Sequence, residues 1–312
     1  MSAVSVREHL EIQSVLVALD AQGTNENALR AGAWLTEHVH GRMSVVHAVG
    51  SAHADWTWLD DPRATSKAEG LIERAWRSAV RQTSSVIGAK LPGGVRVEDA
   101  VHVRAGRPAE VVLDEAHRQD ADVIVLGYQL DRPLLDIGST ARRVIAGAPR
   151  AVWVQKHVPA PIERLLVPVD LSKDSLLALG TACVLARTIG AKVEALHAFS
   201  SSAYVVSTWP DYPDLGSIVA LDELRAGDHA EFDACMDAFD WRGVEHTTRF
   251  VESDPTQAVL DAEGRADLIV LGTHGRSRIA SALLGSVTWS VLRRARLPVL
   301  AIRHPERELD AA

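Results

Sequence analysis

Residues 266–287 have the sequence ADLIVLGTHGRSRIASALLGSV, a short apolar run followed by a loop that contains three glycines. Residues 266–271 are almost purely apolar and rich in branched side chains, which is typical of a strand buried on both faces of a parallel sheet. The loop leaves the carboxyl end of this strand, where open α/β sheets bind their ligands. The stretch therefore predicts an α/β fold with a binding site at this loop.

The spacing of the glycines indicates the chemistry of that site. Gly272, Gly275 and Gly285 are separated by two and then nine residues, and Ser286 and Val287 follow directly. Glycine allows a sharp turn and a close approach of the backbone to a ligand. Gly285 and the two residues after it begin a predicted helix, whose unpaired N–H groups and positive dipole end favour an anion. Binding of a nucleotide through its phosphates is the leading hypothesis.

The chain is an internal duplication. Residues 15–20 (VLVALD) correspond to residues 165–170 (LLVPVD), and residues 121–127 (ADVIVLG) correspond to residues 266–272 (ADLIVLG). The repeat period has the size of a domain, so the sequence indicates two tandem domains and not a solenoid. In each copy strand and helix patterns alternate, which predicts a parallel sheet with helices on both faces.

Local signals mark the element ends and the domain boundaries. Pro108 and Pro255 stand at first-turn positions of predicted helices, and Ser172 is the expected N-cap of the helix that follows it. The two prolines in residues 157–163 (HVPAPIE) favour a semi-rigid connector. We expect an N-terminal extension (1–13), domain 1 (14–156), a linker (157–163), domain 2 (164–304) and a C-terminal tail (305–312).

Composition excludes several classes of function. The 312 residues are 47% hydrophobic and 24% charged, with a formal net charge of −8. An acidic chain without a long basic stripe argues against nucleic acid and anionic membranes as partners. No run approaches the roughly 18 apolar residues of a membrane span, and residues 1–13 contain no apolar signal core. We therefore expect a cytoplasmic protein, and Cys183 and Cys235 to be structural thiols and not a disulfide.

The spacing G-x2-G-x9-G-S, a first strand that ends in Asp and a second strand that ends in His-Ala resemble the universal stress protein family in its tandem form. The closing motif of the first copy, RRVIAGAPRAVWVQK at residues 142–156, is most similar to the E-type members. The resemblance implies two flavodoxin-like (Rossmann-like) α/β domains, each with a five-stranded parallel sheet, that pair through their last strands and bind ATP. Carried over by motif position, the implied ligand residues are Pro168, Asp170, Ala198, Leu271, Gly272, Gly275, Gly285, Ser286 and Val287.

Physical roles can be assigned to some of these residues. Asp170 accepts hydrogen bonds only, so it suits the amine and hydroxyl donors of adenosine; the alternative is that it caps the helix near Ser172. Arg276 is the preferred phosphate contact, because a guanidinium group matches phosphate oxygens in a forked geometry. The loop contains no carboxylate, so Mg²⁺ would be held by the phosphates and water. His274 is either a ligand contact or a solvated loop residue.

Domain 1 departs from this pattern. Between Gly127 and Gly138 its loop is two residues shorter than in domain 2, lacks a counterpart of Gly275, and contains Asp131 and Asp136. Carboxylates about 4 Å from a phosphate repel it by roughly 4 kcal/mol at an effective dielectric constant of about 20. We therefore predict one ATP per chain, held by domain 2. Domain 1 would instead hold a different small molecule or serve as a pairing partner.

The last strands, residues 151–155 and 299–303, would be exposed edges unless they pair with each other. Trp153 would then pack at the domain interface, or else beneath a helix of its own domain. A homodimer of the whole chain is a further option that the sequence leaves open.

No nucleophile motif or P-loop occurs, and His38 and His40, two positions apart on a helix, do not form a metal pair. His47 and His197 recur at the same place in both copies, which favours a role in the fold. An ATP-binding stress or signalling protein is the first hypothesis. The alternatives are a slow ATP hydrolase, or a nucleotide-free scaffold with a small-molecule site in domain 1.

Overall fold

The computed structural model describes residues 9–19, 26–50, 62–128, 139–157, 160–201, 215–274 and 284–303. Strands and helices alternate in both halves, as the sequence pattern predicts. The elements of the first half are β1 (Ser14–Leu19), α1 (Glu26–His38), β2 (Arg42–Val49), α2 (Pro62–Ile87), α3 (Val97–Ala100), β3 (Val101–Ala105), α4 (Pro108–Arg118), β4 (Val123–Gly127), α5 (Ser139–Gly147) and β5 (Ala151–Gln155).

The second half repeats this series from the linker onward. Its elements are β6 (Arg164–Pro168), α6 (Lys173–Ile189), β7 (Lys192–Phe199), α7 (Leu215–Ala238), β8 (His246–Glu252), α8 (Pro255–Ala262), a 3-10 turn (Glu263–Arg265), β9 (Leu268–Gly272), α9 (Ser286–Arg294) and β10 (Val299–Ile302). The expected helix starts are confirmed: Pro108 and Pro255 are the first residues of α4 and α8, and the hydroxyl of Ser172 caps α6 by accepting from the amide of Ser175.

The strands form one ten-stranded sheet with the order β3-β2-β1-β4-β5-β10-β9-β6-β7-β8. Each half is a parallel five-stranded sheet. Counted from the outer edge toward the other half, its strands stand in the order third, second, first, fourth and fifth. The order reverses between the first and fourth strands, which makes that gap a topological switch point. The fold class expected from the sequence, two α/β domains with helices on both faces, is confirmed.

The two halves meet at β5 and β10, which run antiparallel, with Trp153 opposite Leu300. Trp153 is buried, and its ring centroid lies 6.2 Å from that of Trp34 on α1. The indole thus contacts a helix of its own domain while facing the last strand of the other.

Two apolar cores cover the two faces of the sheet, and both extend across the domain interface. One core joins residues of α1, α2, α6 and α7 to one face of the strands. The other joins residues of α4, α5, α8 and α9 to the opposite face. Because successive strand residues point to opposite faces, Trp153 and Leu300 belong to the first core while Val154 and Val299 belong to the second.

Two cations bond across the interface in a reciprocal manner. The buried amine of Lys156, which follows β5, donates to the carbonyl oxygens of Leu292 (2.7 Å) and Ala295 at the end of α9. The guanidinium group of Arg303, which follows β10, donates to the carbonyl oxygens of Ala146 (3.0 Å) and Ala148 (3.3 Å) at the end of α5. Each cation meets the negative end of the other domain's last helix, which favours association of the domains.

Within the described ranges no helix has both the length and the apolarity needed to cross a bilayer.

Candidate functional site

A cavity of about 430 Å³ opens at the carboxyl ends of β6, β7 and β9, beside the first turn of α9. It therefore lies at the switch point of domain 2, where α/β sheets bind ligands. Gly275 and Arg276 lie outside the described residues. The other eight residues expected from the sequence line this one cavity: Pro168, Asp170, Ala198, Leu271, Gly272, Gly285, Ser286 and Val287.

The first turn of α9 presents the anion-binding feature that the glycine spacing predicts. Gly285 is the N-cap, with φ −56° and ψ 145°, and its amide donates to the carbonyl oxygen of Thr273 at 2.9 Å. The hydroxyl of Thr288 donates to the carbonyl oxygen of Gly272 at 2.8 Å, which ties the helix start to the end of β9. The amides of Ser286 and Val287, at the start of the helix, have no carbonyl one turn earlier to bond within it.

Gly272 has a packing role in addition to its place in the cavity wall. A Cβ at this position would lie 2.8 Å from the carbonyl carbon and the Cβ of Asp174, on the first turn of α6. Contacts that short do not occur between real side chains and backbone, so a larger residue would push α6 away from β9. The glycine therefore permits the close packing of helix and strand that forms one wall of the cavity.

Asp170 takes part in the start of α6. One of its carboxylate oxygens accepts from the amide of Ser172 at 3.1 Å and from the hydroxyl of Ser172 at 2.5 Å. Its own amide donates to the hydroxyl of Ser175 at 3.2 Å. The alternative considered from the sequence is thus partly correct, since Asp170 supports the N-cap residue. A carboxylate has lone pairs for several donors, so this contact is compatible with a ligand bond.

His274 is buried, which rules out one of its two alternatives, that of a solvated loop residue. The side chain is 8% exposed and lines the cavity. Its Nδ1 lies 3.0 Å from the hydroxyl of Thr273 and 3.6 Å from a carboxylate oxygen of Asp174. Its Nε2 is buried and has no hydrogen-bond partner among the residues that the structure describes. A buried polar atom without a partner costs free energy, which a ligand acceptor or donor could recover.

Two polar residues of the cavity wall were not foreseen as a site from the sequence. His197 has a polar partner at each ring nitrogen, with Nδ1 2.7 Å from the carbonyl oxygen of Val169 and Nε2 2.7 Å from a carboxylate oxygen of Asp228. Both partners are acceptors, so they hold the ring in one orientation in the cavity wall. The imidazole also stacks on Phe232 and Phe250, with centroid distances of 5.2 and 5.4 Å.

The cysteines are not reactive groups of this site. Burial raises the pKa of Cys183 to about 12, and it raises the pKa of Cys235. A thiol with a raised pKa is a poor nucleophile and metal ligand, which fits a structural role for both. Among the residues that the structure describes, no three His, Cys, Asp or Glu side chains are grouped closely enough to hold a metal ion.

The chemistry of the cavity is divided between its two ends. Helix-start amides lie on the side of α9, where an anionic group is favoured, and the imidazole of His274 lies just past the end of β9, 3.6 Å from a carboxylate oxygen of Asp174. Pro168, Leu196 and Ala198 contribute apolar surface near the ends of β6 and β7, together with the acceptor Asp170. Such a site suits a ligand that has an anionic end and a flat, mostly apolar end with a few donors.

The fold and the position of this cavity define the chain as a tandem α/β protein with a cavity at the switch point of its second domain. Comparison with known proteins identifies the family: the model of the universal stress protein family matches residues 11–156 and again residues 161–303. The chain belongs to this family and has its tandem form.

Several relatives resemble the whole chain. Universal stress protein E of Escherichia coli is 24% identical over 308 residues, covering 93% of this chain and 94% of that protein. A universal stress protein of Mycobacterium tuberculosis is 26% identical over 303 residues, covering 93% and 96%. The crystal structure of a universal stress protein from Archaeoglobus fulgidus superposes with a TM-score of 0.62 at 18% identity, over 93% of this chain and 98% of that one, which supports the fold.

Proposed function

We propose that this universal stress protein binds ATP in the cavity of domain 2 and acts as a stress-response or signalling factor. The observation that carries the proposal is that residues from β6, β7, β9 and α9, more than 100 positions apart in sequence, line one cavity of about 430 Å³. This volume lies within the usual range of about 300 to 1,000 Å³ for ligand sites.

The residues fit the parts of an adenine nucleotide. The amides of Ser286 and Val287 would bind phosphate oxygens, and Arg276, which lies outside the described residues, would add a guanidinium contact. Asp170 would accept from donors of the adenosine, while Pro168, Ala198 and Leu271 would contact the base. Mg²⁺ would be bound by the phosphates and water, since residues 273–284 contain no carboxylate.

Occupancy is proposed for domain 2 alone. The corresponding loop of domain 1 contains Asp131 and Asp136 and no counterpart of Gly275. These residues lie outside the described part of the chain, and their carboxylates disfavour a polyanion by more than a helix start attracts it.

The proposed function also includes the association of the two domains and the location of the protein in the cell. The antiparallel contact between β5 and β10, together with the exchanged contacts of Lys156 and Arg303, supports stable association of the two domains in solution. An acidic chain of this kind would act in the cytoplasm, with a second copy or another protein as its partner.

The test is a titration of ATP against the intact protein and the variant Gly285→Asp. Aspartate is a favoured N-cap residue and the φ/ψ of Gly285 suit it, so the fold should keep its stability. Its carboxylate would repel a phosphate by roughly 4 kcal/mol, so the affinity for ATP should fall at least 100-fold.

The matched control is Gly138→Asp at the corresponding position of domain 1, which should leave both the affinity and the ratio of one ATP per chain unchanged. Equilibrium dialysis measures both quantities. Unchanged binding by Gly285→Asp would refute the assignment of the cavity, and two ATP per chain would refute the restriction to domain 2. Turnover near 1 s⁻¹ or above in the same samples would favour an ATP hydrolase instead.

A further inference from the structure

A second cavity, of about 150 Å³, lies between the domains on the face of the sheet that is covered by α1. It is near the amino ends of the domain 2 strands and is lined by residues other than those of the nucleotide cavity. Two helix residues, one residue of β5, two residues of the linker and one residue before β10 form most of its wall: Ala31, Trp34, Trp153, Ala160, Ile162 and Leu297.

The polar groups around this cavity are satisfied by the protein itself. The indole N–H of Trp153 donates to Oε1 of Gln155 at 2.7 Å, and Nε2 of Gln155 donates to the carbonyl oxygen of His157 at 2.8 Å. The carboxylate of Asp267 accepts from the amide and the guanidinium group of Arg164, at 3.0 and 2.9 Å. Apart from these groups and the side chain of His157, the lining is aliphatic surface and two indole rings, whose centroids are 6.2 Å apart at 56°.

The duplication explains why a cavity remains here. At the offset of 150 positions Leu10 corresponds to Ala160, and Thr181 corresponds to Ala31. Leu10 packs against the apolar core, and its amide donates to the hydroxyl of Thr181 at 2.9 Å. In the corresponding place beside Ala31 the chain has Ala160, whose side chain is three carbons shorter. Leu10 thus covers part of the apolar core, whereas Ala160 leaves the equivalent part uncovered.

We propose that this interdomain cavity binds a small, neutral, monocyclic aromatic molecule. A largely apolar cavity of about 150 Å³ has room for a benzene-sized molecule, and aromatic walls favour an aromatic ligand through tilted or offset ring contacts. The ligand would contact α1 and β5 of domain 1 as well as the linker and Leu297 of domain 2. It would therefore bind only where the two domains are associated.

The probe for this site is toluene, added to protein labelled with ¹³C at the methyl groups of Ile and Leu. Saturable shifts are expected at the methyl groups of Ile162 and Leu297, with a dissociation constant of about 1 mM or tighter. Ala160→Leu places in the linker the residue that stands at the equivalent position 10, and should lower the affinity at least tenfold. Ala160→Ser, which changes the volume little, is the matched control and should retain binding.

Leu10→Ala is the reciprocal variant and should open a second site, with new saturable shifts of the methyl groups that surround residue 10. Xenon pressure on crystals of the unaltered protein gives a check that needs no variant, because electron density for xenon between Trp34 and Trp153 is expected. The proposal is overturned by the absence of saturable shifts at Ile162 and Leu297, by full binding to Ala160→Leu, or by a xenon-free cavity.

Discussion

The two domains share one strand order, yet they differ in what surrounds the ends of their strands. His47 and His197 occupy the same position and each bonds the carbonyl oxygen 28 residues earlier, that of Leu19 at 3.2 Å and that of Val169 at 2.7 Å. In domain 2 the imidazole also bonds Asp228 in the wall of the ligand cavity. Contacts that position the backbone are common to both copies, while the surroundings of the ligand cavity have diverged.

At the interface between the domains, by contrast, the two copies make equivalent contacts. Lys156 and Arg303 are equivalent residues, and each bonds the end of the last helix in the other domain. On the same face Arg142 of α5 lies 5.2 Å from the ring centroid of Trp289 on α9. The two copies thus keep equivalent contacts at the interface and differ in the contacts at the ends of their strands.

The largest effect is expected from Trp153→Ala in β5. The indole is 1% exposed and contacts Trp34 and the last strand of domain 2, so its removal leaves a large cavity at the interface. We expect a loss of about 3 to 5 kcal/mol in the free energy of unfolding, against about 2 to 5 kcal/mol for Leu300→Ala, its partner in β10. Urea denaturation measures both.

If the continuous sheet makes the two domains unfold together, each variant should unfold in one cooperative transition. If the domains can separate, both variants should separate them in the same way. A loss below 1 kcal/mol for Trp153→Ala would mean that the two sheets do not depend on this contact.

Much of the fold follows from local sequence signals. The strand at residues 151–155 agrees with the prediction at both ends, and Pro255 and Ser172 mark helix starts where proline and serine are expected. These signals act over a few residues, through the fixed φ of proline and a capping hydroxyl, so they can be recognised without tertiary structure.

Other parts of the site depend on packing between distant segments. Asp228 lies on a long helix 31 positions after His197, and no local pattern connects the two residues. Gly272 also lies close to Asp174 of α6, a packing contact that the loop sequence does not reveal. The burial of His274 likewise results from α6 lying against β9, which the loop sequence does not reveal.

Lys156 and Arg303 should differ in their response to pH. Burial lowers the pKa of Lys156 from the ordinary 10.5 to about 8, although Glu263 acts to raise it. Below pH 8 the folded and unfolded chains both hold the proton, so the cost of burying the charge is fully present. Between pH 8 and 10.5 the unfolded chain holds more protons, and the free energy of unfolding should rise with pH by about 3 kcal/mol.

Lys156→Met should remove this rise, while Arg303→Met should keep it, because the lysine is then still present. Urea denaturation at pH 7.5, 9 and 10.5 gives the three values for each protein. Equal slopes for the unaltered chain and Lys156→Met would show that other groups cause the pH dependence.

The smallest effect concerns the equivalent helices α4 and α8, which begin at Pro108 and Pro255. The N-cap of α8 is Asp254, whose carboxylate accepts from the amide of Gln257 at 3.0 Å. The equivalent N-cap of α4 is Arg107, which has no acceptor atom in its side chain. Asp254→Ala should therefore cost about 1 kcal/mol, whereas Arg107→Ser should stabilise the protein by up to about 1 kcal/mol.

Two observations separate the effect of the N-cap from other effects of these substitutions. The pair of Arg107 with Glu110, 3.4 Å apart and exposed, contributes little, so its loss should not mask the gain from a serine cap. Asp254→Ser replaces one capping residue with another and should leave the free energy of unfolding nearly unchanged. If Asp254→Ala and Asp254→Ser were equally destabilising, the aspartate would act through its charge near the helix dipole and not through the cap bond. In that case Arg107→Ser would bring no gain, and the two helices would differ in electrostatics alone.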